Sequence, residues 1–330
     1  MSAFSLIRVV MTDIETFATA PMWTGFILFV ISMLVIDMVV LGGRNAHKVS
    51  FREALGWSIA WFALALMFNL LLWWHLDNTV GREVANVKGL EFLSGYLIEK
   101  ALSVDNIFVF LMLFTYFAVP AEFQRRVLLY GVIGAIVMRA IMILLGAWLI
   151  SQFSWILYVF GAFLLFTGVK MLIFANQEPD LEANPLLRWM RRHIRVTDEY
   201  HGERFFIMRD GLRYATPLFL VLVLIEFTDL VFAVDSIPAI FAITSDPFIV
   251  FTSNMFAIMG LRALYFLLAG MADRFHYLKY GLSVVLVFIG GKMLVAQWYH
   301  LPVQISLGIV GLILLVSVVA SLVRPARRTA

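Results

Sequence analysis

The chain has 330 residues, 62% hydrophobic and 14% charged, with a mean hydropathy of +0.92. Soluble domains run near half apolar and a quarter charged, so this composition excludes an ordinary soluble protein and predicts an all-α, polytopic membrane protein. The formal charge of +3 sits between apolar runs and not on a nucleic-acid-binding face, and the absence of cysteine excludes disulfides, thiolate metal sites and dithiol redox chemistry within the chain.

Residues 1–21 lack the basic start and compact apolar centre of a signal peptide and read as a retained extracytoplasmic tail. About 20 apolar residues cross the hydrocarbon as a helix. Nine such spans are predicted, at 22–42, 54–74, 91–117, 127–150, 155–174, 215–243, 248–271, 277–297 and 303–323. The first two occupy 22–74, and a basic cytoplasmic tail, 324–330, follows the last. The third and sixth spans are long, which suggests tilting or interruption.

Charge alternates from loop to loop. Arg44, Lys48 and Arg52 follow the first span, Arg125 and Arg126 the third, Arg274 and Lys279 the seventh, and Arg324, Arg327 and Arg328 the last. The intervening loops at 151–154 and 244–247 have no Lys or Arg. Positive loops stay in the cytoplasm, which predicts an inner-membrane protein with its N-terminus outside and its C-terminus inside.

The loop at 175–214 is basic and cytoplasmic on this reading. Asn184-Pro185 predicts the start of a short helix, with Leu186, Trp189, Met190 and Ile194 on one face and Arg188, Arg191, Arg192 and Arg195 on the other. Asp210-Gly211 is the turn signal of a small hairpin.

The most informative residues are acids inside spans. LIEKALSVDN holds Glu99, Asp105 and Asn106, and LIEFTDLVFAVDSIPA holds Glu226, Asp229, Asp235 and Ser236. A carboxylate at the bilayer centre costs about 2.5–3.5 kcal/mol even on the gentler insertion scales, so a cluster of them points to an ion site. Glu99-x5-Asp105 matches Asp229-x5-Asp235; Arg139 then matches Arg262, and FTGVKML (166–172) matches FIGGKML (288–294). The same order occurs twice, each time over three spans, in units at 91–174 and 215–297. Three is odd, so the two units have opposite topology, the arrangement that puts a transporter's site at the membrane midplane.

On a continuous helix, residues six apart differ by about 120° and about 9 Å. Asp229 and Asp235 would then not meet on one ion. Pro238 favours a break in the helix, since it removes the hydrogen bond to the Val234 carbonyl; the alternative is an unbroken helix with a broad polar face. Arg139 and Arg262 read as partners of the buried acids, either fixed or exchanging between two states. Asp37 in the first span either binds an ion or pairs with an arginine, Lys170 and Lys292 snorkel, and Asn69 and Asn254 make interhelical hydrogen bonds.

Carboxylate, amide, hydroxyl and carbonyl oxygens, with no thiolate and no mid-span histidine, suit hard cations such as Mg²⁺, Ca²⁺ and Mn²⁺. Protons are the other candidate cargo or counter-ion. No bound cofactor is expected.

The strings LIEKALSVDNIFVF, VLLYGVIGAIVMRAIMI and FAVDSIPAIFAITSDPFIVFTSNMFAIMGLRALYFLL resemble the TerC family of integral membrane proteins, and most closely its alkali-induced Alx branch. The resemblance covers nearly the whole chain. It implies export of Mn²⁺ from the cytoplasm, an association with tellurite resistance and alkaline response, and an acidic motif on Glu99, Asp105, Asn106, Glu226, Asp229 and Asp235. The competing expectation is a membrane scaffold for stress responses that does no transport of its own. An intramembrane aspartyl protease using Asp105 and Asp235 is disfavoured by the lack of a Gly-x-Gly-Asp motif.

Overall fold

A computed structural model describes residues 16–37, 50–153, 155–174, 184–209, 211–269, 277–296, 298 and 301–323. Most of the expected tail at 1–21, the end of the first span, the loop start at 175–183, Asp210 and the basic tail at 324–330 lie outside the described residues. Within them the chain forms eleven helices and one hairpin: α1 (Ala20–Ile36), α2 (Phe51–Thr79), α3 (Arg82–Tyr116), α4 (Ala121–Gln152), α5 (Ile156–Ile173), α6 (Pro185–His193), β1 (Phe206–Arg209), β2 (Leu212–Ala215), α7 (Pro217–Phe241), α8 (Pro247–Met259), α9 (Leu261–Leu268), α10 (Leu278–Val295) and α11 (Val303–Val323).

Local chemistry sets several of these ends. Ser50 caps α2 by accepting from the Glu53 amide, Asn184 caps α6 ahead of Pro185, and Asp246 caps α8 ahead of Pro247. Gly81, at φ 124°, makes the turn between α2 and α3 in a conformation that side chains disfavour.

Six helices are long and apolar enough to cross a membrane (α2, α4, α5, α7, α10 and α11), and α8 with α9 makes a seventh if the bent pair is one span. Two of the nine expected spans fall outside that test. Helix α1 has 17 described residues, and α3 is 35 residues long but carries Glu91, Glu99, Lys100 and Asp105. The expected seventh span, 248–271, is bent by 41° at Gly260. Large apolar side chains face outward along the bundle, among them Leu70, Trp74, Ile173, Leu312 and Leu315. Contiguous apolar exposure of this kind marks a lipid-facing surface.

Helix α3 is the axis of the bundle and touches α2, α7, α8, α9, α10 and α11. Phe26, Phe68, Phe92, Phe248 and Phe256 pack as an aromatic cluster that locks α1, α2 and α8 onto it. The elements between α5 and α7 are docked on the bundle. The Tyr200 hydroxyl donates to the Phe117 carbonyl at 2.6 Å, and burial pushes this phenol above its ordinary range. Arg126 pairs with Glu203 at 3.2 Å. Of the expected face of α6, Met190 is buried and Leu186 and Ile194 pack against the core, while Trp189 points outward and Leu187 is buried in its stead. The expected hairpin is present, with Arg209 opposite Leu212 and Gly211 at φ 74°.

The most extensive helix pair is α5 with α10. It is close because glycines let the backbones meet: a Cβ at Gly168 would lie 2.9 Å from the Ser283 carbonyl, and one at Gly290 would lie 2.7 Å from the Gly161 carbonyl. Gly291 has open space. Gly290→Leu should therefore lower the thermal midpoint in detergent by an overpacking cost of about 1–3 kcal/mol. Gly291→Leu, one residue on, should leave it near wild type; equal effects from the two would contradict the close approach.

Candidate cation site

Seven residues make nearly two helical turns, so Glu99 and Asn106 share one face of α3, and Asp229 and Ser236 share one face of α7. Helices α3 and α7 pack together, and α4 packs along α7. From α4, Arg139 reaches the same point and is 1% exposed. Its Nη2 and Nε donate to the two Asp229 carboxylate oxygens at 3.3 and 3.5 Å. Its Nη1 pairs with Glu99 and donates to Ser236 Oγ at 3.1 Å and to Asn254 Oδ1 at 3.0 Å. The Asn254 amide is held in turn by its bond to the Val250 carbonyl. Glu99 is fully buried, and its Oε2 has no hydrogen-bond partner among the described residues. Four helices (α3, α4, α7 and α8) therefore meet at one guanidinium.

The remaining expected residues do not join this point. Glu226 lies one turn before Asp229, with its carboxylate in the space that a Cβ at Gly134 of α4 would need. Asp235 lies beside Thr167 and Lys170 of α5. Asp105 lies within electrostatic reach of Lys279 of α10. Asn106 is buried on α3. Among the described residues, no group of three or more Asp, Glu or His side chains is close enough to hold a metal ion.

The expected helix break between Asp229 and Asp235 is not present. Helix α7 runs unbroken from Pro217 to Phe241 with Pro238 inside it. The proline falls in the last turns, where it frees one carbonyl near the helix end without splitting the acidic segment. Arg262 is also placed differently from its expected counterpart Arg139. It donates to Asp37 Oδ1 at 2.6 Å and to the Asp37 carbonyl at 3.1 Å, tying α9 to the end of α1. Of the two roles open to Asp37, the structure has the arginine pair.

Two polar residues, Lys100 and Glu91, belong to no motif read from the sequence, and one expected contact, that of Asn254, gains a partner. Asn254 was read as an interhelical hydrogen bond, and its partner proves to be the central arginine. Lys100 donates to the Ala257 carbonyl at 3.3 Å, and its Nζ lies 2.6 Å from where a Cβ at Gly260 would be. Glu91 accepts from Thr244 at 2.6 Å and from Lys88 at 2.9 Å. The available signal for Lys100 and Glu91 was their position on the same charged helix as Glu99.

Residues 84–329 match the profile described as "Integral membrane protein TerC family". The chain belongs to the TerC family. All the acids of the two repeated strings, with Arg139 and Arg262, lie inside the matched segment, while Asp37 lies before it. The chain is 59% identical over 305 residues to "Putative membrane-bound redox modulator Alx" of Salmonella typhi, covering 92% of this chain and 95% of that protein. It is 60% identical over 296 residues to the protein of the same name from Escherichia coli (strain K12), covering 90% and 92%. It is 49% identical over 313 residues to "Uncharacterized membrane protein STKORF319" of Myxococcus xanthus, covering 94% and 95%. No solved structure matches.

Removing one partner of a buried ion pair costs about 3–5 kcal/mol, because the other charge is left unpaired. Asp37→Ala and Arg262→Ala should each lower the unfolding midpoint in detergent, and the double variant should lose less than the sum of the two. Strict additivity in this cycle would show that the pair is not coupled.

Proposed function

We propose that this TerC family protein is a secondary transporter that exports divalent metal, Mn²⁺ first, with its cargo site at the interface of two inverted three-helix units. The observation that carries this reading is the meeting of Glu99 and Asp229, the matched acids of the two units, at one buried point. Packing helices has no need of two carboxylates there, and hard oxygen donors suit Mn²⁺. The resemblance to the family supplies the choice of Mn²⁺ and the outward direction. Asp105, Asn106, Glu226 and Asp235 would line the way to and from the site, and protons taken up by these acids would weaken metal binding and serve as counter-ion.

The inverted relation is supported by the packing. Exchanging α3 with α7, α4 with α8, and α5 with α10 maps the contact of α3 on α8 onto that of α7 on α4, and leaves the α5–α10 and α3–α7 pairs in place. The same exchange turns the Gly168 contact with the Ser283 carbonyl into the Gly290 contact with the Gly161 carbonyl, because both residue pairs share one sequence offset. In this reading α1 and α3 also span the inner membrane, which gives nine spans, an outside N-terminus and a cytoplasmic C-terminus.

A second reading, a scaffold without transport, is favoured by the docked cytoplasmic segment with α6 and the hairpin. The Salmonella typhi and Escherichia coli relatives are named for redox modulation, and since this chain has no cysteine, any thiol exchange on that reading belongs to a partner.

The two readings separate in an exporter-deficient bacterium challenged with Mn²⁺, with cytoplasmic manganese measured by elemental analysis at matched expression. The transporter should lower manganese, and Asp229→Asn and Asp235→Asn should each abolish that effect. No difference between wild type and empty vector would leave the scaffold.

A further inference from the structure

Arg139 sits where the cargo is proposed to sit, and the donor count there does not suit an arginine. Nη1 has two protons but three oxygens within hydrogen-bond reach, from Glu99, Ser236 and Asn254. Glu99 Oε2 adds a buried oxygen that, among the described residues, accepts no hydrogen bond within ordinary geometry. The two carboxylates, the Ser236 hydroxyl and the Asn254 amide together present six oxygens, the number a hard octahedral cation takes. Charge gives the same answer. Two carboxylates with one guanidinium leave a buried negative charge in excess, whereas a divalent ion in the arginine's place leaves none.

The arginine also has somewhere to go. Glu226 is one turn from Asp229 on α7, and its carboxylate rests against Gly134, on the helix that carries Arg139. Among the described residues, Glu226 forms no ion pair. Five residues of α4 rise about 7.5 Å and turn about 140°, so the arginine would reach Glu226 by swinging both along and around α4.

We propose that Arg139 is a tethered counter-cation that fills the cargo site between transport steps and moves to Glu226 when a divalent ion enters. This rests on the transporter reading and deepens it. The guanidinium and the metal compete for one set of oxygens, so the arginine weakens binding and drives release. The empty carrier then returns with one of its two carboxylate charges offset by the guanidinium.

The test measures Mn²⁺ binding to the purified full chain by loss of the free-ion electron paramagnetic resonance signal, and Mn²⁺ flux in proteoliposomes. Arg139→Gln should bind Mn²⁺ about tenfold or more tightly than wild type, in the range of ordinary coupling between competing ligands, and transport it more slowly. Its thermal midpoint should fall without metal and be restored by Mn²⁺ more than that of wild type. A folded Arg139→Gln protein that binds Mn²⁺ no more tightly than wild type overturns the proposal. Should that variant not fold even with Mn²⁺ present, Glu226→Gln decides. This substitution leaves the arginine-filled site intact and removes its landing place, so Mn²⁺ binding should weaken with the metal-free midpoint unchanged; unchanged binding overturns the proposal. Wild type that neither binds nor moves Mn²⁺ refutes the transporter reading itself, an outcome distinct from wild type that transports while the variants bind alike.

Discussion

The structure depends on giving every buried charge a partner inside the bundle. Glu99 and Asp229 are carried into the centre of the bundle on two different helices, and Arg139 is carried there on a third. Each of these groups alone would be strongly disfavoured in that medium, and together they become a knot between α3, α4, α7 and α8. Such a knot specifies how the helices are rotated, because any other rotation leaves a buried charge without its partner. On the proposed transport cycle it is also the point at which an incoming divalent cation would compete with the arginine.

The rest of the bundle reads as a frame for that point. Aromatic packing fixes α1, α2 and α8 around α3, and glycine contacts bring α5 and α10 together at backbone distance. The Asp37–Arg262 pair holds the end of α1 to α9. Between α8 and α9 the chain bends at Gly260, and the Lys100 ammonium, next in sequence to Glu99, donates to a carbonyl at the end of α8. The bend and the central arginine cluster are thus joined through adjacent residues of one helix.

Much of this was legible in the sequence, and the limits have physical causes. Apolar runs of about 20 residues mark spans regardless of packing. Buried acids stand out by cost alone, and Asp210-Gly211 marked the hairpin because few other turns use that pair. Helix rotation was not legible, because it is decided by which faces meet in the folded bundle. For that reason Arg262 could be matched to Arg139 in the repeat yet pair with Asp37, and Leu187 could be buried on α6 in place of Trp189. Pro238 suggested a break that its place near the end of α7 does not produce, whereas the bend at Gly260 is written in an apolar stretch with no proline. Asn254 gave no sign of its partner, since the arginine it meets is 115 positions away.

The most direct measurement is anomalous X-ray scattering at the manganese edge from crystals of the full chain grown with Mn²⁺. The account predicts a peak within bonding distance of the Glu99 and Asp229 carboxylates, with the Arg139 guanidinium displaced from Asp229. A peak at other carboxylates, with Arg139 still seated between Glu99 and Asp229, would contradict it.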